Sequence, residues 1–100
     1  MSIKTAIDFL KQKGKFDSYA ALARAAGMDK IRMQNMRAGV VTPSVREEFA
    51  LADACGMQHV EVIALLETAK DPEQKSFWQR YTNVFLKQLR AMSQTARMAS

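Results

Sequence analysis

The sequence predicts an all-α protein, and three observations support that prediction. Residues of high helix propensity (Ala, Leu, Met, Gln, Lys, Arg and Glu) dominate the chain. Only 4 Gly and 2 Pro occur in 100 residues, which leaves little material for loops. Apolar residues recur at intervals of three and four, without the alternation that is typical of strands. We therefore expect short-linked helices in a single domain of ordinary size.

Capping residues and glycines divide the chain into six predicted helices. The N-cap candidates are Ser2 for the first helix, Asp17 or Ser18 for the second and Asp29 for the third. Gly14 follows the end of the first helix. The fourth has two candidate starts: Thr42-Pro43, with proline at the first helical position, or a Ser44-x-x-Glu47 capping box. The predicted spans are about 3–13, 19–26, 30–38, 44–55, 58–68 and from 72 past 92, followed by a frayed tail.

Several side chains are assigned to the core or to the surface from their positions in these helices. The apolar stripe of the first helix is Ile3, Ala6, Ile7 and Leu10. Cys55 is predicted to be a buried thiol, and His59 a surface residue at the start of the fifth helix. Glu47 and Glu48 lie in the first turn of the fourth helix, where acids interact favourably with the helix dipole.

Charge is unevenly distributed, although the formal net charge is only +5. Residues 1–39 hold eight cations against three acids, residues 40–71 hold two against six, and residues 72–100 hold five against one. A basic N-terminal part indicates an anionic partner, nucleic acid above all. The alternative is that the cations only solvate helix faces.

The residue inventory argues against an enzyme. His59 is the sole histidine, no serine forms a recognisable triad with it, and no glycine-rich phosphate loop is present. No cofactor, metal or small-molecule ligand is expected. No apolar stretch is long enough to span a membrane, and a lone cysteine suits a reducing cytoplasm.

The stretch YAALARAAGMDKIRMQNMRAG, residues 19–39, contains a corner between two short helices. Ala23 lies one turn before Gly27, where glycine permits a left-handed backbone. With the following TPSVREEFALADACGMQHVEVIALL, this stretch resembles the helix-turn-helix of the Cro- and C-type phage repressors, over about residues 3–67. The resemblance implies a five-helix, lambda-repressor-like domain in residues 1–69 that binds double-stranded DNA.

The third helix would then carry the chemistry of recognition. If Met33 and Met36 face inward, the opposite side presents amides and cations that suit base edges in a major groove. The alternative is that Ile31 packs against a neighbour and the amides only solvate the surface. The predicted base contacts are Lys30, Ile31, Gln34 and Asn35, and the predicted contacts to the DNA backbone are Tyr19, Arg24, Lys15 and Arg37.

The predicted sixth helix, within residues 70–100, is amphipathic, with large apolar side chains on one face and partly basic residues on the other. Because a five-helix domain closes its own core by about residue 67, the additional apolar face needs a partner surface. Homodimerisation is the favoured interpretation; packing on its own domain, on another protein or on a membrane surface are the alternatives. The predicted dimer-interface residues are Phe77, Trp78, Tyr81, Phe85 and Leu89.

These observations predict a cytoplasmic, homodimeric transcriptional regulator, with repression as the favoured activity. Small repressors of temperate or filamentous phage are the nearest resemblance, and an autoregulating antitoxin is the nearest variant. The rival hypothesis is a protein-interaction module. It would use the helical scaffold and the aromatic helix to bind a host or phage protein.

Overall fold

The computed structural model describes residues 2–80, and all regular structure in that range is helical. The helices are α1 (Ile3–Lys13), α2 (Tyr19–Ala25), α3 (Lys30–Arg37), α4 (Val45–Cys55) and α5 (His59–Lys70). A 3-10 turn at Pro72–Gln74 follows, and residues 75–80 are α-helical. The all-α prediction is confirmed for the described residues, and the rest of the predicted sixth helix lies outside them.

Side-chain caps begin four of these helices as the sequence predicts. Ser2, Ser18, Asp29 and Ser44 each accept a hydrogen bond from a backbone amide in the first turn of the following helix. Ser18 rather than Asp17 is the N-cap of α2, and Ser44 rather than Thr42 is the N-cap of α4, where the capping box with Glu47 is complete. These bonds satisfy amides that the helix itself leaves unpaired.

Helix α1 ends at Lys13 with Gly14 directly after it, as predicted, but the left-handed residue comes one position later. Gly14 stays in the right-handed region with φ −81°, and Lys15 takes the left-handed conformation with φ 59°. The Phe16 amide donates to the Lys11 carbonyl at 3.0 Å, which closes a Schellman turn around Lys15. Gly14 is needed for space instead, because a Cβ there would lie 2.5 Å from the Phe16 ring.

The core forms around α1, which contacts α3, α4 and α5, while α2 packs on α3 and α4. Each large side chain in this cluster contributes about 1.5–3 kcal/mol when it is fully buried. The predicted stripe of α1 and the two methionines of α3 all belong to it. The fully buried large apolar side chains are Ile7, Leu10, Leu22, Met33, Met36, Leu51, Val62 and Leu66.

Two side chains of α4 show a degree of burial that the sequence did not predict. Cys55 is half-buried rather than buried, and its Sγ donates a hydrogen bond to the Leu10 carbonyl at 3.3 Å. Partial burial raises the pKa of the Cys55 thiol. Glu48, predicted only as a favourable first-turn acid, is completely buried, because its position in α4 faces α5 rather than solvent.

Candidate nucleic-acid interface

Gly27 makes the corner between α2 and α3. Its φ is 67°, and a Cβ there would meet no atom within 4 Å, so the left-handed backbone rather than space favours glycine. The Met28 amide donates to the Ala23 carbonyl at 2.8 Å, which closes the last turn of α2. Ala23 is 1% exposed, so its small side chain lies where the helices approach closely.

The two sides of α3 differ sharply. Met33 and Met36 are fully buried, whereas Ile31 keeps 64% of its surface exposed and therefore does not pack into the core. The amides and the lysine beside Ile31 are also exposed. The structure thus presents together, on the outer side of α3, the predicted base contacts Lys30, Ile31, Gln34 and Asn35.

Arg32, counted among the N-terminal cations, ties α3 to α4. Its Nε and Nη2 donate to the two carboxylate oxygens of Glu47 at 3.0 and 2.9 Å, and Nη2 also donates to the Thr42 carbonyl at 3.1 Å. The Arg32 bonds, with the Ser44 amide, lower the pKa of Glu47 to about 2. The capping box signals Glu47 in the sequence, but no local pattern indicates Arg32 as its partner.

Tyr19 and Arg37, both predicted to contact DNA phosphates, meet at Asp8. The Tyr19 hydroxyl donates to Asp8 Oδ1 at 2.5 Å, and Arg37 Nε donates to the same oxygen at 3.0 Å. The guanidinium carbon of Arg37 lies 3.9 Å from the centre of the Tyr19 ring. These bonds lower the pKa of Asp8 and raise that of Tyr19. The cluster joins α1, α2 and α3, and sequence reasoning missed Asp8.

A groove of about 550 Å³ lies between the start of α2 and the exposed side of α3. Four predicted contact residues line it, together with Lys4 and Ser18, which were not among the predicted contacts. Lys15 and Arg24 are exposed elsewhere, outside its lining. The lining residues are Lys4, Ser18, Tyr19, Ala20, Lys30, Met33, Gln34, Arg37 and Ala38.

A second groove, of about 570 Å³, is apolar and lies between α4, α5 and the helical residues that follow. Its lining includes Phe77, which is 61% exposed, and Trp78; Tyr81, Phe85 and Leu89 lie outside the described residues. His59 is a surface residue, as predicted, and its Nε2 lies 2.6 Å from Asp53 Oδ1. The full lining is Phe49, Met57, Gln58, His59, Val60, Ile63, Phe77 and Trp78.

Neither a metal site nor similarity to a known protein adds to the description of this surface. Within residues 2–80, no three His, Cys, Asp or Glu side chains are placed to hold a metal ion. No helix in the same range combines the length and apolarity that crossing a bilayer requires. The chain matches no protein-family model, and no curated protein or solved structure proved similar to it.

Proposed function

We propose that this protein is a sequence-specific, double-stranded DNA-binding regulator of transcription. In this proposal α2 and α3 are a helix-turn-helix, and the protein is a cytoplasmic repressor of the Cro/C type. The observation that carries it is the outer side of α3, where exposed Ile31 lies among Lys30, Gln34 and Asn35. An exposed isoleucine is unfavourable in water but can contact a thymine methyl, and the amides can pair with adenine.

The basic groove beside α3 supports the same proposal. Lys4, Lys30 and Arg37 all line it and would attract the phosphates of a duplex. The ties from α3 to Asp8 and to Glu47 fix the angle of α3 before DNA binds, which lowers the cost of ordering the interface. In a homodimer, two such helices would enter successive major grooves about 34 Å apart and exclude polymerase from a promoter.

Selection of bound duplexes from a random pool tests the proposal directly. We expect an enriched inverted repeat, because a two-fold symmetric dimer reads two half-sites. Affinity for that repeat should fall steeply with salt. A plot of the logarithm of the binding constant against the logarithm of the salt concentration should have a slope of about −0.9 per phosphate contacted. Recovery of no enriched sequence would contradict the proposal.

Gln34→Ala separates base readout from general attraction to DNA. We expect affinity for the selected repeat to fall by about 1–3 kcal/mol, with little change on random duplex. Arg24→Ala should weaken both duplexes equally if Arg24 contacts phosphate. Gln12→Ala, the same change on the exposed side of α1, is the matched control and should change neither. Equal losses on both duplexes for Gln34→Ala would remove α3 from base recognition.

The homodimer is tested by introducing a negative charge into the predicted C-terminal interface. Phe85→Glu and Leu89→Glu should produce a monomer and reduce operator affinity more than folding stability, because a monomer keeps only one half-site. Lys87→Glu, on the polar side of the same predicted helix, is the control for the added charge. A Leu89→Glu chain that retains its dimeric mass in solution would exclude this segment from the interface.

A protein-interaction module is the second candidate, and the apolar groove favours it. Exposed Phe49 and Phe77 beside a 570 Å³ groove are typical of a surface that binds another protein. Salt dependence separates the two candidates. A module of this kind would have no measurable duplex affinity even at low salt, where a DNA-binding dimer binds most tightly.

A further inference from the structure

Glu48 is a fully buried acid in the seam between α4 and α5. Within the described residues, neither carboxylate oxygen has a hydrogen-bond partner. The nearest cation is Lys70, the last residue of α5, whose Nζ lies 3.6 Å from Glu48 Oε2. The same Nζ lies 3.3 Å from Glu67 Oε2, so one ammonium serves two carboxylates.

This cluster of one cation and two acids is electrically neutral only when one of the acids is protonated. With both acids ionised the three groups carry a net negative charge, and with one acid protonated they are neutral. Burial selects Glu48, because ionisation of a group withdrawn from water is the more costly, whereas the Glu67 side chain is 20% exposed. Across residues 2–80, the charged groups acting on Glu48 are Lys70 and Glu67, both from α5, and none comes from α1 or α2, which also pack against α4.

We propose that Glu48, Glu67 and Lys70 form a proton-operated latch that holds the end of α5 against α4. Protonated Glu48 packs as a neutral side chain and closes the seam. When the proton passes to water, the buried carboxylate must recruit solvent, and the seam loosens. Desolvation raises the pKa of Glu48 to about 7, which places this transition near neutral pH.

The latch lies where the chain continues toward its C-terminal segment. Asp71 follows Lys70 directly and begins the 3-10 turn by accepting a hydrogen bond from the Glu73 amide at 3.1 Å. One turn later, Trp78 Nε1 donates to Gln74 Oε1 at 2.8 Å. Loosening the end of α5 would therefore alter the surroundings of Trp78, the single tryptophan of the chain.

Fluorescence of Trp78 in the full chain, recorded from pH 5 to pH 9, tests the latch. We expect one transition with its midpoint near pH 7, absent from Glu48→Gln, which imitates the protonated acid. Over the same range, amide exchange in the last turn of α5 should accelerate by up to tenfold per pH unit relative to Glu48→Gln at the same pH, since the comparison removes the intrinsic pH dependence of exchange. His59 lines the same groove as Trp78, so His59→Gln is the control, and it should keep the transition.

Lys70→Met provides a second test of the latch. Loss of a cation within about 4 Å should raise the midpoint by about one pH unit or more. A carbon-13 titration of the Glu48 carboxyl in the wild-type chain measures the same event without a substitution. A Glu48 that titrates near pH 4.5 would overturn the latch, as would a transition that survives Glu48→Gln or disappears in His59→Gln.

Discussion

The two sides of α4 hold adjacent glutamates in opposite ways. Glu47 lies between α3 and α4, where two arginine nitrogens at 2.9 and 3.0 Å lower its pKa to about 2. Glu48 lies between α4 and α5, where burial raises its pKa to about 7 despite Lys70 at 3.6 Å. Both are glutamates in the first turn of the same helix.

Geometry and burial therefore decide whether a charged pair stabilises the seam between two helices. Arg32 approaches Glu47 as a planar fork with two parallel hydrogen bonds, which is the strongest form of such a pair. Lys70 is too distant to hydrogen-bond Glu48, so the attraction does not offset desolvation. The α3–α4 seam is therefore charged throughout the neutral range, and the α4–α5 seam titrates within it.

Glu48→Met should have the largest effect on stability. A folded-state pKa near 7, against 4.5 when unfolded, means that the folded chain binds more protons between these values, so stability falls as pH rises through that window. The change should therefore raise the free energy of unfolding by about 3 kcal/mol at pH 8 and by little at pH 5. Urea denaturation at both pH values measures the difference.

Glu61→Met is the control for adding a methionine to a half-buried position of α5, at the end of the helix opposite to Lys70. It should leave the pH dependence of stability unchanged. A Glu48→Met chain whose advantage is the same at pH 5 and pH 8 would mean that Glu48 is not the group that titrates.

Glu47→Gln should have the next largest effect and the opposite sign. Its lowered pKa contributes stability that is fully present above pH 4.5 and is lost as pH falls toward 2. Because the Arg32 side chain is about a third exposed, we expect a loss of roughly 1–2 kcal/mol at pH 7. Thermal unfolding from pH 2 to pH 7 should converge with the wild type at the acid end, whereas Glu73→Gln, on an exposed glutamate, should follow the wild type throughout.

Arg32→Lys tests how the α3–α4 contact affects the proposed DNA surface. Lysine keeps the charge but cannot form the two-point contact with Glu47, so the hold on α3 weakens. We expect a smaller stability loss than for Glu47→Gln and a several-fold loss of affinity for the selected operator, with affinity for random duplex retained. A loss that is equal on both duplexes would instead make Arg32 a phosphate contact.

Asp8→Asn should have the smallest effect on stability, because the Asp8 side chain is 40% exposed, whereas that of Glu47 is 17% exposed. The asparagine can still accept a hydrogen bond, but it no longer offers a charge to Arg37. Calorimetry should detect at most a small decrease in melting temperature near pH 7. A decrease as large as that of Glu47→Gln would show that exposure does not weaken this contact. It would contradict the conclusion drawn from Glu47 and Glu48, that burial and geometry set the strength of such pairs.

The helices and much of the buried face could be predicted from the sequence, because both depend on interactions between residues close together in the chain. The serine and aspartate caps act on amides two or three residues away, and the stripe from Ile3 to Leu10 follows from helical periodicity alone. The exposure of Lys30, Ile31, Gln34 and Asn35 followed in the same way once the methionines of α3 were assigned to the core.

The pairing of the charged side chains could not be predicted in this way, because it depends on how the helices pack. Arg32 meets Glu47 across 15 positions of the chain, and Arg37 meets Asp8 across 29, so no local pattern identifies either pair. The left-handed residue after α1 is likewise Lys15 rather than the neighbouring Gly14, which keeps a right-handed backbone. Glu47 and Glu48 differ because successive helical residues point about 100° apart, and which helix lies in each direction is fixed by packing alone.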